Sequence, residues 1–200
     1  MRGNYCCPIN TNYMADLVQY FDNFSPLDET AMYELLQHVR TKTVKKGEHL
    51  LKSGDVCRHL FFLNEGLAKI YFTRDDKEFV MQFFYANRVF SVFESYITQA
   101  PSNYALVAIE PTTVTLISHD RMEELCRKHH CAETFYRKLV SVATVRMMKR
   151  ISEMLNEDAS ERYNQFVKEH KEIIQRINLG DLANYLGITQ QSLSRIRAQK

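Results

Sequence analysis

Polar side chains near the end of the chain have the types and spacing needed to read DNA. Leu193 and Ile196 define the inward face of a helix, and the polar residues beside them point the other way. Gln side chains bond adenine bidentately, Arg does the same with guanine, and Ser, Thr and Lys suit phosphates. The sequence therefore predicts a DNA-binding surface that consists of Thr189, Gln190, Gln191, Ser192, Ser194, Arg195, Arg197 and Lys200.

A helix-turn-helix pattern positions this surface. The apolar face of Leu179, Leu182, Ala183 and Leu186 predicts a first helix that ends at Gly187, whose positive φ permits a tight turn. Thr189 then caps the second helix. The alternative is a helical hairpin with a purely structural polar face.

The charge distribution agrees with an anionic partner for this part of the chain. The 200 residues carry a net charge of +2, but residues 1–120 have 11 Lys and Arg against 14 Asp and Glu, whereas residues 121–200 have 15 against 10. A basic C-terminal part with no acid after Asp181 suits DNA, although a solvated helical surface would give the same asymmetry.

Other chemistry is poorly supported. The cysteines are odd in number and lack the paired spacing of a zinc site or a disulfide framework: Cys6, Cys7, Cys57, Cys126 and Cys131. His129-His130 has no third ligand in spacing. The chain has no G-x-S-x-G elbow, P-loop, H-E-x-x-H or glycine-rich dinucleotide turn, so we do not expect an enzyme.

The middle of the chain has the pattern of a β-structure. Short runs rich in β-branched and aromatic residues alternate with turn-like segments, which predicts an antiparallel sandwich or roll. These runs are 60–63, 68–72, 79–85, 104–109 and 113–118.

Helices are predicted on both sides of the roll. The first are 14–21 and a helix that ends near Arg40, which Ser25 would cap with Pro26 in its first turn and Asp28 as the capping-box carboxylate. After the roll we expect helices at 121–128, 132–155 and 159–171. The apolar stripe of the long helix predicts a dimer interface formed by Phe135, Leu139, Val142, Val145 and Met148.

These elements give an α+β chain in four parts. Residues 1–18 form a tail, 19–120 the β-roll with flanking helices, 121–156 a helical linker with the dimerisation helix, and 157–200 the helix-turn-helix domain. No apolar run is long enough for a membrane span and the start lacks a secretory signal, so we expect a cytoplasmic protein.

The order of β-roll, long helix and helix-turn-helix resembles the cyclic-AMP receptor protein and fumarate-nitrate regulator (CRP/FNR) family of bacterial transcription factors. The similar residues in the roll are Lys46-Gly47, Gly54-Asp55, the segment FFLNEGLAKIYF with its Gly66, and VTLIS ending at Ser118. The resemblance extends from about Phe21 to Lys200. Its strongest part is the helix-turn-helix from Leu179 to Arg197.

The resemblance implies a homodimer that binds a pseudo-palindromic operator in double-stranded DNA. The long helices would form the interface, and paired recognition helices would enter major grooves about 34–36 Å apart. RNA polymerase and an unidentified small-molecule effector are further candidate partners. Many relatives continue into a β-hairpin wing, whereas this chain ends three residues after Arg197, so we expect recognition to depend more on the helix and on dimer avidity.

The identity of a cofactor or effector is unknown from the sequence. Nucleotide-binding relatives carry a Gly-Glu pair and an Arg in the phosphate cassette, but the corresponding segment 91–105 has no Gly, Lys or Arg, which disfavours cyclic AMP. The adjacent Cys6-Cys7 does not reproduce the spaced cysteines of iron-sulfur relatives. The candidate ligand-binding residues are Phe84, Arg88, Phe93, Glu94, Tyr96 and Tyr104.

Two hypotheses follow. The first is a dimeric, sequence-specific DNA-binding transcription regulator of the CRP/FNR type. The second is a cyclic nucleotide-binding-like sensory or interaction module that has kept the fold without DNA regulation. Gln190, Gln191 and Arg195 favour the first, because acidic or bulky apolar residues at these positions would be expected for the second.

Overall fold

A computed structural model describes residues 11–198 of the chain and gives eight helices and eight strands over this range. Two helices precede the strands, a short one lies among them, and five follow. The helices are α1 Thr11–Phe24, α2 Glu29–Leu36, α3 Phe93–Thr98, α4 His119–Lys128, α5 His130–Asn156, α6 Ala159–Glu169, α7 Leu179–Leu186 and α8 Gln190–Ala198.

The strands form a roll of two four-stranded antiparallel sheets. The first sheet has the order β1-β8-β3-β6 and the second β2-β7-β4-β5. The bounds are β1 Arg40–Val44, β2 His49–Leu51, β3 His59–Glu65, β4 Leu67–Arg74, β5 Lys77–Tyr85, β6 Arg88–Phe90, β7 Ala105–Ala108 and β8 Thr112–Ser118. The predicted antiparallel roll is thus confirmed, and the three strands that the apolar runs did not reveal are the short β2 and β6 and the polar β1.

The core of the roll lies between the sheets and extends onto the N-terminal helices. Phe62 of β3, Phe21 of α1 and Phe135 of α5 are all fully buried, and the rings of Phe21 and Phe135 are centred 4.2 Å apart. The prediction of a tail over residues 1–18 was therefore wrong for residues 11–18, because α1 begins at Thr11 and buries Leu17 against the roll. Residues 1–10 lie outside the described part of the chain.

The start of α2 also differs from the prediction. The helix begins at Glu29, and Asp28 rather than Ser25 is the N-cap residue, with its side chain accepting a hydrogen bond from the Ala31 amide at 2.8 Å. Ser25 is instead buried and donates its amide to the carbonyl of Phe21 at 2.8 Å, which closes α1. A carboxylate at the N-cap also suits the positive end of the helix dipole.

A turn of the roll depends on glycine, and the start of α6 depends on a side-chain cap. Gly66 joins β3 to β4 with φ of +98°, and an added Cβ would stand 2.5 Å from the Pro111 carbonyl oxygen. Downstream, Asp158 and Glu161 form a capping box that starts α6 at Ala159, three residues after α5 ends at Asn156. This break explains why α5 stops at Asn156 despite a sequence free of Gly and Pro.

The last three helices, α6 to α8, share an apolar cluster with the outer face of the second sheet. Phe83 of β5 lies 6.0 Å from the ring of Phe166 and 5.4 Å from that of Tyr185. Arg176, between α6 and α7, bonds Glu110 and donates to the Gly66 carbonyl at 3.0 Å. The helix-turn-helix is therefore seated on strands β4 and β5, and its position follows from the position of those strands.

Candidate nucleic-acid interface

The turn between α7 and α8 is built as the sequence predicted. Gly187 has φ of +69° and its amide donates to the Ala183 carbonyl, which ends α7 in a left-handed residue. Leu182, Leu186 and Leu193 are buried at the crossing of the two helices. The apolar positions thus fix the angle at which α8 leaves the turn.

The start of α8 is capped by Thr189. Its hydroxyl accepts a hydrogen bond from the Ser192 amide at 3.1 Å and lies 3.0 Å from the Ser192 hydroxyl. The predicted capping role of Thr189 agrees with this geometry. Ser192 is half-buried, and its hydroxyl already has a partner in Thr189, so it contributes less free polar surface than its neighbours.

The outward face of α8 is open to solvent. Every residue predicted to read DNA on this face is exposed apart from Ser192, and no described residue of the chain forms an ion pair with its arginines. The exposed members are Thr189, Gln190, Gln191, Ser194, Arg195 and Arg197. Lys200, the last residue of the predicted surface, lies outside the described residues.

Close packing at the start of α7 brings Gln190 beside Gly180. A Cβ added to Gly180 would lie 3.1 Å from the Gln190 side-chain nitrogen, so the absence of a side chain makes room for that amide. Gln190 is thereby placed at the junction of the two helices, whereas Gln191, Ser194 and Arg195 lie farther along the open face.

The start of α7 is tied to the roll by charged residues that the sequence analysis did not single out. Asp181 accepts a hydrogen bond from the Lys69 ammonium at 2.6 Å, and Glu78 accepts a second one at 2.6 Å. Lys69 is 6% exposed and Asp181 8% exposed. We call Lys69, Glu78 and Asp181 the docking triad.

The electrostatics of the docking triad favour a charged lysine. Burial alone would lower the pKa of Lys69, but the hydrogen bonds from Asp181 and Glu78 outweigh it and raise the pKa above its ordinary value. Asn178 adds a cap: its side chain accepts from the Asp181 amide at 2.8 Å and donates to the Asp181 carboxylate at 2.7 Å. The spacing Asn178-x-x-Asp181 is a capping pattern that could have indicated this helix start.

The six candidate ligand-binding residues do not converge on one site. Phe84 is buried and stacks on Phe90 at 4.0 Å, and Tyr96 is fully buried beside His119. Arg88 packs over the Tyr85 ring and bonds its hydroxyl. Tyr104 meets the edge of Phe72, Phe93 is half-buried and Glu94 is exposed on α3. The aromatic members are buried in the core of the roll or pack against it.

The long helix α5 divides its apolar residues between two faces. Phe135 is fully buried and Leu139 is 5% exposed, both against their own roll, so neither is free to meet a second chain. Their place in the predicted dimer interface was therefore wrong. Val142 is half-buried, whereas Val145 and Met148 are 68% and 61% exposed.

The two faces have a geometric origin. Farther along α5, Arg150 packs over the Tyr185 ring at 3.9 Å and bonds the Tyr185 carbonyl, so this side of the helix meets the helix-turn-helix. Val145 precedes Arg150 by five residues, which places it about 140° away around the helix. Val145, Met148 and Leu155 thus form an apolar strip that is largely exposed in the described chain.

No group of three or more His, Cys, Asp or Glu within residues 11–198 has the arrangement of a metal site. Cys57, Cys126 and Cys131 are free thiols, and burial raises the pKa of Cys126 to about 12, against its use as a nucleophile. None of the described helices is long and apolar enough to cross a membrane. Cys6 and Cys7 lie outside the described residues.

Comparisons with known proteins agree with this architecture. Residues 41–129 match the family model for the cyclic nucleotide-binding domain. The Electron transport regulator A of Shewanella oneidensis is 27% identical over 169 residues, which cover 78% of this chain and 67% of that protein. The Fumarate and nitrate reduction regulatory protein of Vibrio cholerae is 25% identical over 183 residues, which cover 85% and 72% of the two chains.

Solved structures show the same fold over most of the chain. A putative regulator of the crp/fnr family from Eubacterium rectale superposes with a TM-score of 0.71 at 16% identity, covering 89% of this chain and 85% of the other. FixK2 from Bradyrhizobium japonicum gives 0.69 at 17% identity, covering 80% and 83%. The similarity includes both the roll and the helical C-terminal part.

Proposed function

From the membership of this chain in the CRP/FNR family of transcription regulators, we propose that it binds a pseudo-palindromic DNA operator as a homodimer. One observation carries the proposal: α8 leaves its polar and basic face open, while its apolar face and all of α7 are committed to the turn and to the roll. A structural hairpin would have no need to keep this face free of acidic and apolar side chains.

The residues of α8 divide into two roles in this proposal. Gln190, Gln191 and Arg195 project from the first two turns, where side chains reach base edges when the helix enters the major groove. Thr189, Ser194 and Arg197 flank them and suit contacts with phosphates. Ser192 serves mainly as the partner of the Thr189 cap, and Lys200 adds a further positive charge.

The dimer in this proposal forms through the exposed strip of α5. Val142, Val145 and Met148 form the centre of this interface, and Ile151 and Leu155 extend it toward the DNA-binding part. Such a strip exposes apolar surface that a second copy of the same helix would bury in a symmetric contact. This proposed interface lies closer to the C-terminus of α5 than the dimer interface predicted from the sequence.

A DNA-binding assay tests the reader residues. Fluorescence anisotropy with the DNA upstream of the protein's own gene, at several salt concentrations, should show tight binding to a palindromic site and a steep loss of affinity with salt. Arg195→Ala should weaken specific binding by about 1–3 kcal/mol and relax the preference at one base pair. Arg74→Ala, at an exposed arginine that ends β4, is the control.

Two results would contradict the assignment. Binding that does not discriminate between sequences would favour a sensory or interaction module without DNA regulation. Equal losses for Arg195→Ala and Arg74→Ala would show that only net charge matters. Interaction with RNA polymerase, control by a small-molecule effector and a cytoplasmic location belong to the same proposal, which assigns the chain no catalytic role.

Sedimentation of the purified protein tests the dimer. Val145→Asp together with Met148→Glu should convert the dimer to a monomer and reduce operator affinity, because each chain then contacts a single half-site. Tyr33→Glu replaces a 66% exposed aromatic side chain on α2 and should leave the dimer intact. A dimer that survives the α5 changes would place the interface elsewhere.

A further inference from the structure

A cavity beside the first sheet is lined mainly by basic side chains. Its volume is about 310 Å³, and its strand residues lie on the same face of the sheet as Phe61, whose ring stacks on that of Phe90. No acidic side chain is among its lining residues, which are His38, Arg40, His59, Leu116, Ser118 and Arg121.

The strand register explains why these residues meet. Strand β8 runs between β1 and β3, so that Leu116 stands opposite Arg40 on one side and Ser118 opposite His59 on the other. Arg40 and His59 therefore project from the same face of the sheet. Helix α4 begins directly after Ser118 and brings Arg121 to the rim within its first turn.

The positive charge of this cavity is only partly compensated by neighbouring acidic side chains. His59 has its pKa lowered first by burial and then by Lys42, Arg40 and Arg58. Among the described residues these three cations form no ion pair. Of the cavity residues, only Arg121 has an acidic partner, Glu124 at 2.6 Å, and the nearby Asp120 lies beside His119 at 3.3 Å and points into solvent.

The end of helix α4 adds to this potential. Ser118 is the N-cap residue, but its side chain makes no capping hydrogen bond, so its hydroxyl is free to serve a ligand. The N-terminus of a helix of ten residues carries a partial positive charge, and guanidinium groups match the oxygens of a tetrahedral dianion. Concavity, two arginines, two histidines and a free hydroxyl thus converge on one small volume.

We propose that this cavity binds the phosphate group of a small molecule, as free phosphate or as a phosphomonoester. Arg40 and Arg121 contact the phosphate oxygens, Ser118 donates its hydroxyl, and His59 donates a proton-bearing ring nitrogen once it is protonated. The cavity adjoins segment 91–105, because the Ser91 hydroxyl donates to the His59 carbonyl at 2.9 Å, but none of its lining residues belongs to that segment or to the face of α8 proposed to read DNA.

Proton NMR of the histidine rings tests the site in the intact protein. Titration of His59 in sodium phosphate, compared with sodium chloride at equal ionic strength, should show a higher His59 pKa in phosphate, because a bound anion stabilises the protonated ring. His170, which lies against Tyr85 on the second sheet, is an internal control whose pKa should not respond. Glycerol 3-phosphate in a parallel titration distinguishes a phosphomonoester site from one that takes only free phosphate.

The variant Arg40→Gln provides a second test of the phosphate site. It removes a repelling cation, so the His59 pKa in chloride should rise, while the apparent affinity for phosphate should fall at least about tenfold, as expected for a lost charge-assisted bond. Arg74→Gln is the matched exposed control and should change neither quantity. An equal His59 pKa in phosphate and chloride, or a phosphate affinity unchanged by Arg40→Gln, would overturn the proposal.

Discussion

The docking triad gives the sharpest prediction of stability. Asp181→Leu removes the carboxylate that pairs with Lys69 at 2.6 Å and leaves a buried ammonium group facing an apolar side chain. Lys69 keeps Glu78 as a partner, but that carboxylate is on a side chain that is 40% exposed and is therefore better solvated. The variant tests how strongly the roll and the helix-turn-helix are joined.

The expected cost follows from this geometry. Breaking a buried ion pair by removing one partner costs about 3–5 kcal/mol of stability. The remaining bond to Glu78 offsets part of that cost, while the lost contact from the Asn178 amide adds to it, so we expect about 2–4 kcal/mol. Lys69→Met alone should cost a similar amount, because Asp181 then loses its cation.

The combined variant separates pairing from packing. Lys69→Met with Asp181→Leu removes both charges and fills the space with apolar atoms, and such replacements are often neutral. We expect the double variant to lie within about 1 kcal/mol of the parent protein, which gives a large coupling energy in a double-mutant cycle. Equilibrium unfolding in urea, followed by circular dichroism, measures all four proteins.

An exposed ion pair provides the matched control for this cycle. Glu124→Gln removes the carboxylate that pairs with both Arg121 and Lys128, whose side chains are 45% and 49% exposed, and should cost less than about 1 kcal/mol. If Asp181→Leu costs no more than Glu124→Gln, or if the double variant is as unstable as the sum of the single ones, the buried triad does not hold the two parts together.

Three further outcomes are expected. In urea unfolding, Gly66→Ala should destabilise the roll far more than Gly47→Ala. Both positions have positive φ, but only at position 66 would the alanine Cβ lie 2.5 Å from neighbouring backbone. Equal losses of stability in the two variants would contradict this packing. Burial lowers the pKa of His170, so the folded state resists its protonation, and the free energy of unfolding should fall as pH decreases below about 6.5. His170→Phe should make this dependence of stability on pH less steep. An unchanged dependence would exclude His170 as its source. The pKa of Lys69 is raised above 10.5, so its contribution to the free energy of unfolding is complete below pH 10.5 and is lost as pH rises through the pKa of the folded state. The variant with both Lys69→Met and Asp181→Leu should lack this loss of stability at alkaline pH. A loss that persists in that variant would point to another group.

Most of the architecture could be predicted from local pattern. Strands with apolar and aromatic runs, such as β3 and β8, and helices with a regular apolar period were recognised, and the helix-turn-helix was placed through Gly187 and Thr189. Strands β1 and β2 were not, because β1 reads RTKTV and β2 has only three residues. Their strand conformation comes from pairing with β8 and β7, which are distant in the sequence.

The site was predictable where one helix carries it and not where two parts of the chain meet. The face of α8 follows from the helical period alone, since Leu193 fixes which side is inward. The stripe of α5 was misassigned because its period does not tell which neighbour each residue meets: Phe135 packs against α1, while Val145 is 68% exposed. Lys69 and Asp181 are 112 residues apart, so no local signal could pair them.

An apolar cluster between the second sheet and the helical C-terminal part determines which fragments of this protein can be expected to fold. It combines Leu67, Val80 and Phe83 of the sheet with Phe166 and Leu182 of the helical part, so neither contributor closes a core by itself. A fragment that contains only residues 157–200 would expose the surface that now rests on β4 and β5. A chimaera that exchanges the DNA-binding part between relatives should therefore fold only when strands β4 and β5 are transferred with it. The strand pair and the helix-turn-helix thus form one structural unit.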